Sequence, residues 1–333
     1  MTRMTTMTTM TRSTFVGLLA LCNTVLCSAA LAQSYPEKPV TIILPLQAGS
    51  ASDVAVRIVA ERMAQSMKQG LPIENVTGAS GLIGTERLVK ARPDGYTLAA
   101  LNNSILTILP NIQKDKVKFD SHTDFIPLGG LANIPTLLGV HGETSIRSVK
   151  ELIDLARAKP GSLNYASGGP GSPQHLATEM FMAMTGVQLA HIPYKGATQA
   201  AAGLAGGQVH VMFIAHSLAL PFLDSGKVRP IAFAGGERSA AFPNLPTVAE
   251  LGVPGYDYSS WIALFAPKGT PADIVAKLRR EVQAATAIPE VRERMAKSGL
   301  ELWAVTAERL PQVIRDDFAR WEKVVKTANI KAD

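Results

Sequence analysis

Cysteine is nearly absent from this sequence: 333 residues contain two, Cys22 and Cys27, both within the first 32 positions. Beyond that stretch no disulfide, cysteine-built metal site or thiol nucleophile is available. Aromatic side chains are also sparse, at 6%. The net charge of +6 would suit a polyanionic partner, but Lys and Arg are scattered and no basic run is interleaved with stacking aromatics. That pattern excludes a nucleic-acid groove. Charged residues make up 18% against 47% hydrophobic ones, the balance of a folded globular protein rather than a disordered chain. Long apolar runs are missing with one exception, Phe15–Leu26, which follows Arg3 and Arg12 and precedes Ala30-Leu31-Ala32. A basic start, a short apolar core and a small-x-small site predict a secretory signal over residues 1–32, cleaved after Ala32. Leu21 and Leu26 precede the cysteines where a lipoprotein signal needs a small residue. No later run approaches the ~18 apolar residues of a membrane span. The expectation is an exported chain whose core is large enough to fold without disulfides.

Signatures of catalysis are missing as well. GxSxG and HExxH do not occur, and Ser172 with His175 lacks an identified acidic partner. The histidines (His122, His141, His175, His191, His210, His216) are scattered rather than spaced as metal ligands. Gly78–Gly84 (GASGLIG) does not fit the GxGxxG dinucleotide template. No catalytic residue, metal or cofactor is expected.

What is present is an alternation of short apolar runs and helical periodicities. Strands are expected at Val40–Leu44, Pro72–Val76, Thr97–Leu101, Thr136–Val140, Leu163–Ala166, Val187–Ile192, Val209–Ile214, Val228–Ala234, Ser259–Ala266 and Glu301–Val305. Helices are expected at 53–67, capped by Ser52 or Asp53, and at 82–91, capped by Ser80. A Ser148/Glu151 capping box opens the helix 149–158. Further helices are expected at 173–185, 197–205, 271–286, 289–298 and 306–327. Such alternation predicts an α/β protein of mostly parallel sheets flanked by helices. Phe242–Gly255, rich in Pro and Gly, reads as a crossing between domains. Trp261 reads as core.

The stretch Tyr165–His175 (YASGGPGSPQH) joins a strand to a helix start through Gly168, Gly169 and Gly171. Gln47–Ser52 does the same after the first strand. Glycines let the backbone come close to a ligand, and a helix start offers unpaired N–H groups at its positive end. In open α/β sheets ligands sit beyond the carboxyl ends of the strands, so both loops are expected to face one cleft.

Seven blocks then carry a family resemblance: YPEKPVTIILPLQAGSASDVAVR, ENVTGASGLIGTE, ARPDGYTL, LNYASGGPGSPQHLATE, HIPYKGATQAAAGLAGGQV, FPNLPTVAELGVPGYDYSSW and APKGTPADIV. In this order they resemble the periplasmic solute receptors of tripartite tricarboxylate transporters, the Bug receptors. The resemblance implies a two-lobed type II periplasmic-binding-protein fold, the Venus flytrap. Lobe 1 is expected from residues 33–128 and 240–333, and lobe 2 from residues 129–239. It implies a small mono- or dicarboxylate ligand, aromatic and amino acids included, held by backbone N–H groups, short polar side chains and water rather than by arginines. The implied partner is a membrane permease of one large and one small subunit, served by a monomer. A receptor that reports its ligand to a membrane sensor is the alternative, since Bug receptors outnumber their permeases in some bacteria; a hydrolase ranks last.

The expected ligand contacts are Gln47, Ala48, Gly49 and Ser50 in the first loop, and Ser167, Gly168, Gly169, Gly171, Ser172 and His175 in the second. Gly196, Ala197 and Thr198 join them after Tyr194-Lys195-Gly196, with His216 and Ser217 past the strand Val209–Ile214. His175 is read equally as a loop-packing residue, and Asp53 as a helix cap that shapes the first loop. Lys195 is assigned to the surface or a domain contact. The chain departs from the family pattern at Gln47, where proline is usual, at Ser50, where glycine is usual, and at Gln199, Gly203 and His210. These departures bear on which ligand is taken.

Overall fold

The computed structural model describes residues 35–328 and 330; the expected signal segment lies outside them. Two sheets organise the chain from residue 38 onward. The first is nucleated by β1 (Thr41–Leu44), an apolar run buried on both faces. It pairs in parallel with β2 (Ile73–Asn75) and β3 (Thr97–Asn102), in the register Ile42↔Ile73 and Ile42↔Leu98. The crossovers are α1 (Ala51–Met67) and α2 (Leu82–Val89). A wide π-type turn, Ser104–Ile108, and one helical turn, α3 (Leu109–Ile112), follow β3.

The next strand, β4 (Phe125–Asn133), stays in this sheet, and the chain then enters the second sheet through Ile134 and Pro135 alone. That sheet contains β5 (Thr136–His141), β6 (Asn164–Ser167), β7 (Ala190–Pro193), β8 (Val211–Ala215) and β9 (Val228–Phe233), in the order β7-β6-β8-β5-β9. Its helices are α4 (Val149–Ala158), α5 (Pro173–Thr185), α6 (Ala197–Ala205) and α7 (His216–Leu223). The chain returns as β10 (Trp261–Pro267), between β3 and β4, and ends with α8 (Ala272–Thr286), α9 (Pro289–Lys297), the edge strand β11 (Glu301–Leu302) and α10 (Leu310–Ala328).

Each sheet is mixed rather than mostly parallel. β10 runs antiparallel to β3 and β4, and β5 antiparallel to β8 and β9. The reason is topological: the βα units lay their strands in parallel and the strands that leave for the other sheet, β4 and β9, run with them, whereas the strand that enters from the other sheet, β10 or β5, runs the opposite way. Apolar periodicity carries no information about direction.

The two passages between the sheets run side by side. Asn133 pairs with Trp261, and the Ile134 N–H donates to the Ser260 carbonyl at 2.8 Å. Phe242–Gly255, expected as a crossing, mostly packs on the second sheet first. Val248, Val253 and Tyr256 are buried with Phe181 and Phe213. Tyr256 stacks on Phe213 with ring centroids 5.5 Å apart, and its hydroxyl donates to the Ala177 carbonyl at 2.9 Å. Sheet membership therefore changes between Asn133 and Thr136 and again between Tyr258 and Trp261, whereas the expected seam after residue 128 falls inside β4. Trp261 lies in the core of the first sheet, against Ile43, Leu101 and Phe265.

Candidate ligand-binding site

One device builds both glycine loops. At the first, Ser50 is the N-cap of α1 (φ −69°, ψ 162°), and its Oγ accepts the Asp53 N–H at 3.3 Å. Asp53, third residue of the helix, turns back and accepts the Gly49 N–H on Oδ2 at 2.9 Å. At the second, Ser172 caps α5 (φ −67°, ψ 159°), and its Oγ faces the His175 N–H at 3.5 Å. His175, again third in its helix, accepts the Gly171 N–H on Nδ1 at 3.2 Å. Each is a reciprocal capping box reaching one residue further back than usual. Gly49 and Gly171 sit at φ 75° and 71°, the left-handed region that favours glycine. The cap of α1 is thus Ser50, not Ser52 or Asp53 as expected; the S-x-x-D spacing supplies the box, and Asp53 shapes the loop from inside the helix.

Burial alone would raise the Asp53 carboxyl pKa. Hydrogen bonds from Arg57 (2.8 and 2.9 Å), Asn75 (2.9 Å) and the Gly49 N–H, with the Arg57 charge, outweigh it and hold the group below its ordinary value. The loop therefore rests on a carboxylate that is ionised at neutral pH.

A third helix start, that of α6, follows Gly196 with no side-chain cap. Of the first-turn N–H groups, those of Ala51, Ser52, Gln174 and Ala197 have no intrahelical acceptor. All four residues line one cleft of about 760 Å³. Three helix starts, from α1 on one sheet and α5 and α6 on the other, thus turn their positive ends on a common space. No arginine lines it among the described residues; Lys195, exposed and in no ion pair among them, does, as do Lys116 and Glu86. The remaining polar wall includes Ser80, Asn102, Ser104, Tyr258 and Ser260, and the apolar wall Ile105, Ile134, Phe213 and Leu218. Burial pushes the Tyr258 hydroxyl pKa well up, so it stays a neutral partner for Ser104 Oγ at 3.4 Å.

The two sides meet across the cleft. Ser80 Oγ donates to the Pro170 carbonyl at 2.6 Å, from a segment, Gly78–Gly81, whose four φ values (123°, 46°, 59°, 95°) are all positive. Ala79 and Ser80 hold this conformation without being glycine, a strain met at sites that serve a ligand. Ser80 was expected to cap α2; Gly81 takes that place, with no side-chain bond. Gln47 lies so close to Gly196 that a Cβ there would sit 1.8 Å from Gln47 Oε1.

Of the expected contacts, Gln47, Ser50, Gly168, Gly169, Gly171, Ser172, Gly196 and Ala197 line the cleft. Ala48, Gly49, Ser167, His175, Thr198, His216 and Ser217 lie outside its lining. Ser167 is fully buried, its Oγ 2.6 Å from His191 Nε2 and accepting the Gly169 N–H at 3.0 Å, so it holds the loop from behind. His175 does likewise, with Glu179 3.6 Å from its Nε2. The His216 ring turns onto Phe242 with centroids 4.4 Å apart, and burial lowers its pKa and keeps it neutral. Thr198 is exposed, with Oγ1 3.7 Å from where a Gly49 Cβ would stand.

Lys195, assigned to the surface or a domain contact, is exposed and also lines the cleft. Ser80, Asn102, Ser104, Gln174, Tyr258 and Ser260 were not foreseen. Asn102-Asn103-Ser104 carried a signal: a polar run ending an apolar strand at its carboxyl edge, where ligands of α/β sheets bind.

Two mixed α/β sheets joined by paired passages, with helix starts from both turned on one cleft, define a solute-binding protein of the periplasmic class. More narrowly, the chain belongs to the tripartite tricarboxylate transporter family receptors, whose profile matches residues 55–330. It is thereby a binding protein and not an enzyme. It is 32% identical over 324 residues to the protein BugT of Bordetella pertussis, covering 94% of this chain and 98% of the relative. Rpa4515 of R. palustris, solved with adipate, is 34% identical with a TM-score of 0.84, over 89% of this chain and 99% of that one. MatC of Rhodopseudomonas palustris, solved with bound malate, is 30% identical with a TM-score of 0.82, over 87% and 100%.

Proposed function

We propose that this protein is exported through its cleaved N-terminal signal, captures a small carboxylate between two lobes, one on each sheet, and delivers it as a monomer to a membrane permease of one large and one small subunit. The observation that carries this reading is the convergence of three helix starts with free first-turn N–H groups on a cleft that no arginine lines among the described residues. Main-chain N–H groups at helix starts stabilise an anion through directed bonds and aligned dipoles. Family membership, and the adipate and malate held by two relatives, support the same ligand chemistry. The lobes close on the ligand as hinged binding proteins do, and the Ser80–Pro170 and Gln47–Gly196 approaches belong to the closed form. Titration calorimetry of the mature protein against adipate, malate and a panel of mono- and dicarboxylates tests the ligand class. One-to-one binding of at least one member is the expected result, and no heat from any of them sinks it. Loss of uptake of that acid in a deletion strain is the expected result for the transport role.

A further inference from the structure

Asn102 stands at the carboxyl end of β3 and lines the cleft, yet its side chain is almost wholly buried, with 1% exposure. Its two amide ends have different fates. Oδ1 accepts the Ile105 N–H at 3.1 Å, which fixes the orientation of the group, because only the oxygen can serve that donor. Nδ2 is left without a hydrogen-bond partner among the described residues. A buried amide donor with no acceptor is unfavourable, so such a group in a ligand cleft points to an acceptor on the ligand.

A carboxylate offers about four acceptor sites. The first-turn N–H groups of Ala51, Ser52, Gln174 and Ala197 match that number. Asn102 belongs to a strand end, not to a helix start, and the surrounding wall carries Ile105, Ile134 and Phe213. We propose that Asn102 is a specificity-determining residue whose Nδ2–H donates to an oxygen of the bound acid other than those held at the helix starts. The ligand class is then an acid with an apolar middle and a second acceptor, such as a linear diacid, in preference to a plain monoacid. This rests on the carboxylate-receptor reading above.

The test compares linear diacids of four to eight carbons with monoacids of equal length, titrated calorimetrically into the wild type, Asn102→Leu and Asn102→Asp. Leucine keeps the volume and removes the donor; aspartate keeps an acceptor for the Ile105 N–H and replaces the donor with a second oxygen. Thermal unfolding of each variant verifies that it is folded. In the wild type the preferred diacid binds at least tenfold more tightly than its monoacid. In Asn102→Leu its affinity falls roughly ten- to hundredfold, the scale of one hydrogen bond to a charged acceptor, while the monoacid changes less than about twofold. Asn102→Asp loses the diacid as well. Retention of the wild-type preference in either variant, or an equal fall for diacid and monoacid in Asn102→Leu, overturns the assignment. Absence of binding by the wild type to every acid overturns the receptor reading itself, and this assignment with it.

Discussion

Replacing Gly196 by alanine tests the closed cleft with a single methyl group. The backbone there is extended (φ 177°, ψ 171°), a conformation open to any residue, so the substitution adds no local strain. The added Cβ would lie 1.8 Å from Gln47 Oε1, 2.4 Å from its Cδ and 3.0 Å from its Cβ. Restoring an ordinary contact of about 3.5 Å to Oε1 needs about 1.7 Å of movement. Rotating the Gln47 side chain relieves the first two clashes but not the third, which is anchored to the first loop. Overpacking of this kind costs about 1–3 kcal/mol. Because Gln47 and Gly196 come from opposite sides of the cleft, the cost falls on closure, and affinity drops roughly five- to 150-fold. Gln47→Ala removes the two nearest atoms, and Oε1 forms no hydrogen bond among the described residues. The double variant therefore recovers most of the affinity. Calorimetry of wild type, both single variants and the double variant forms the cycle. A coupling below about 0.5 kcal/mol, the limit for independent sites, refutes the reasoning.

Three further outcomes are expected. Asp53→Asn lowers stability by about 1–2 kcal/mol through the loss of charge-assisted bonds. Because the Asp53 pKa is depressed in the folded state, this stabilisation is complete above the ordinary carboxylate value and is lost as pH falls through the folded one. The difference in Tm between wild type and variant thus narrows below about pH 4, and a gap that persists unchanged in acid contradicts it. Ser80→Ala removes the bond to the Pro170 carbonyl and weakens ligand binding roughly two- to tenfold while leaving the Tm of the ligand-free protein unchanged. Ser172→Ala lowers affinity through loss of a cleft hydroxyl and costs stability by only about 0.5 kcal/mol, since its capping bond is long at 3.5 Å; chemical denaturation and titration separate the two effects.

Local structure was legible wherever pattern and punctuation agreed. The helices 149–158, 173–185 and 197–205 begin and end where their Ser148 box, Pro173 and Gly196 place them. β4 was missed because Gly129 and Gly130 interrupt its apolar pattern; a Cβ on Gly130 would meet the Trp303 carbonyl at 2.5 Å, so tertiary closeness, not strand propensity, chose the residue. α7 was missed because Pro221 sits inside it. At the site, the glycine loops announced themselves, since strand, glycines and helix start are contiguous. Asn102 and Ser80 did not, because each becomes part of the cleft only when distant segments fold against it. Ser167 reads as a contact, and His175 equally as a contact or a loop-packing residue, because sequence gives proximity to a loop but not the side of it on which a side chain lies.

The paired passages between the sheets carry a mechanical consequence. The outgoing strand at Asn133–Ile134 and the returning one at Ser260–Trp261 are laced together, so they behave as one strip instead of two independent tethers. A strip flexes across its flat face far more readily than it shears along its length, and torsion would have to break the bond from Ile134 to Ser260. Where the lobes open and close as proposed, that strip favours a single swing over twisting or sliding.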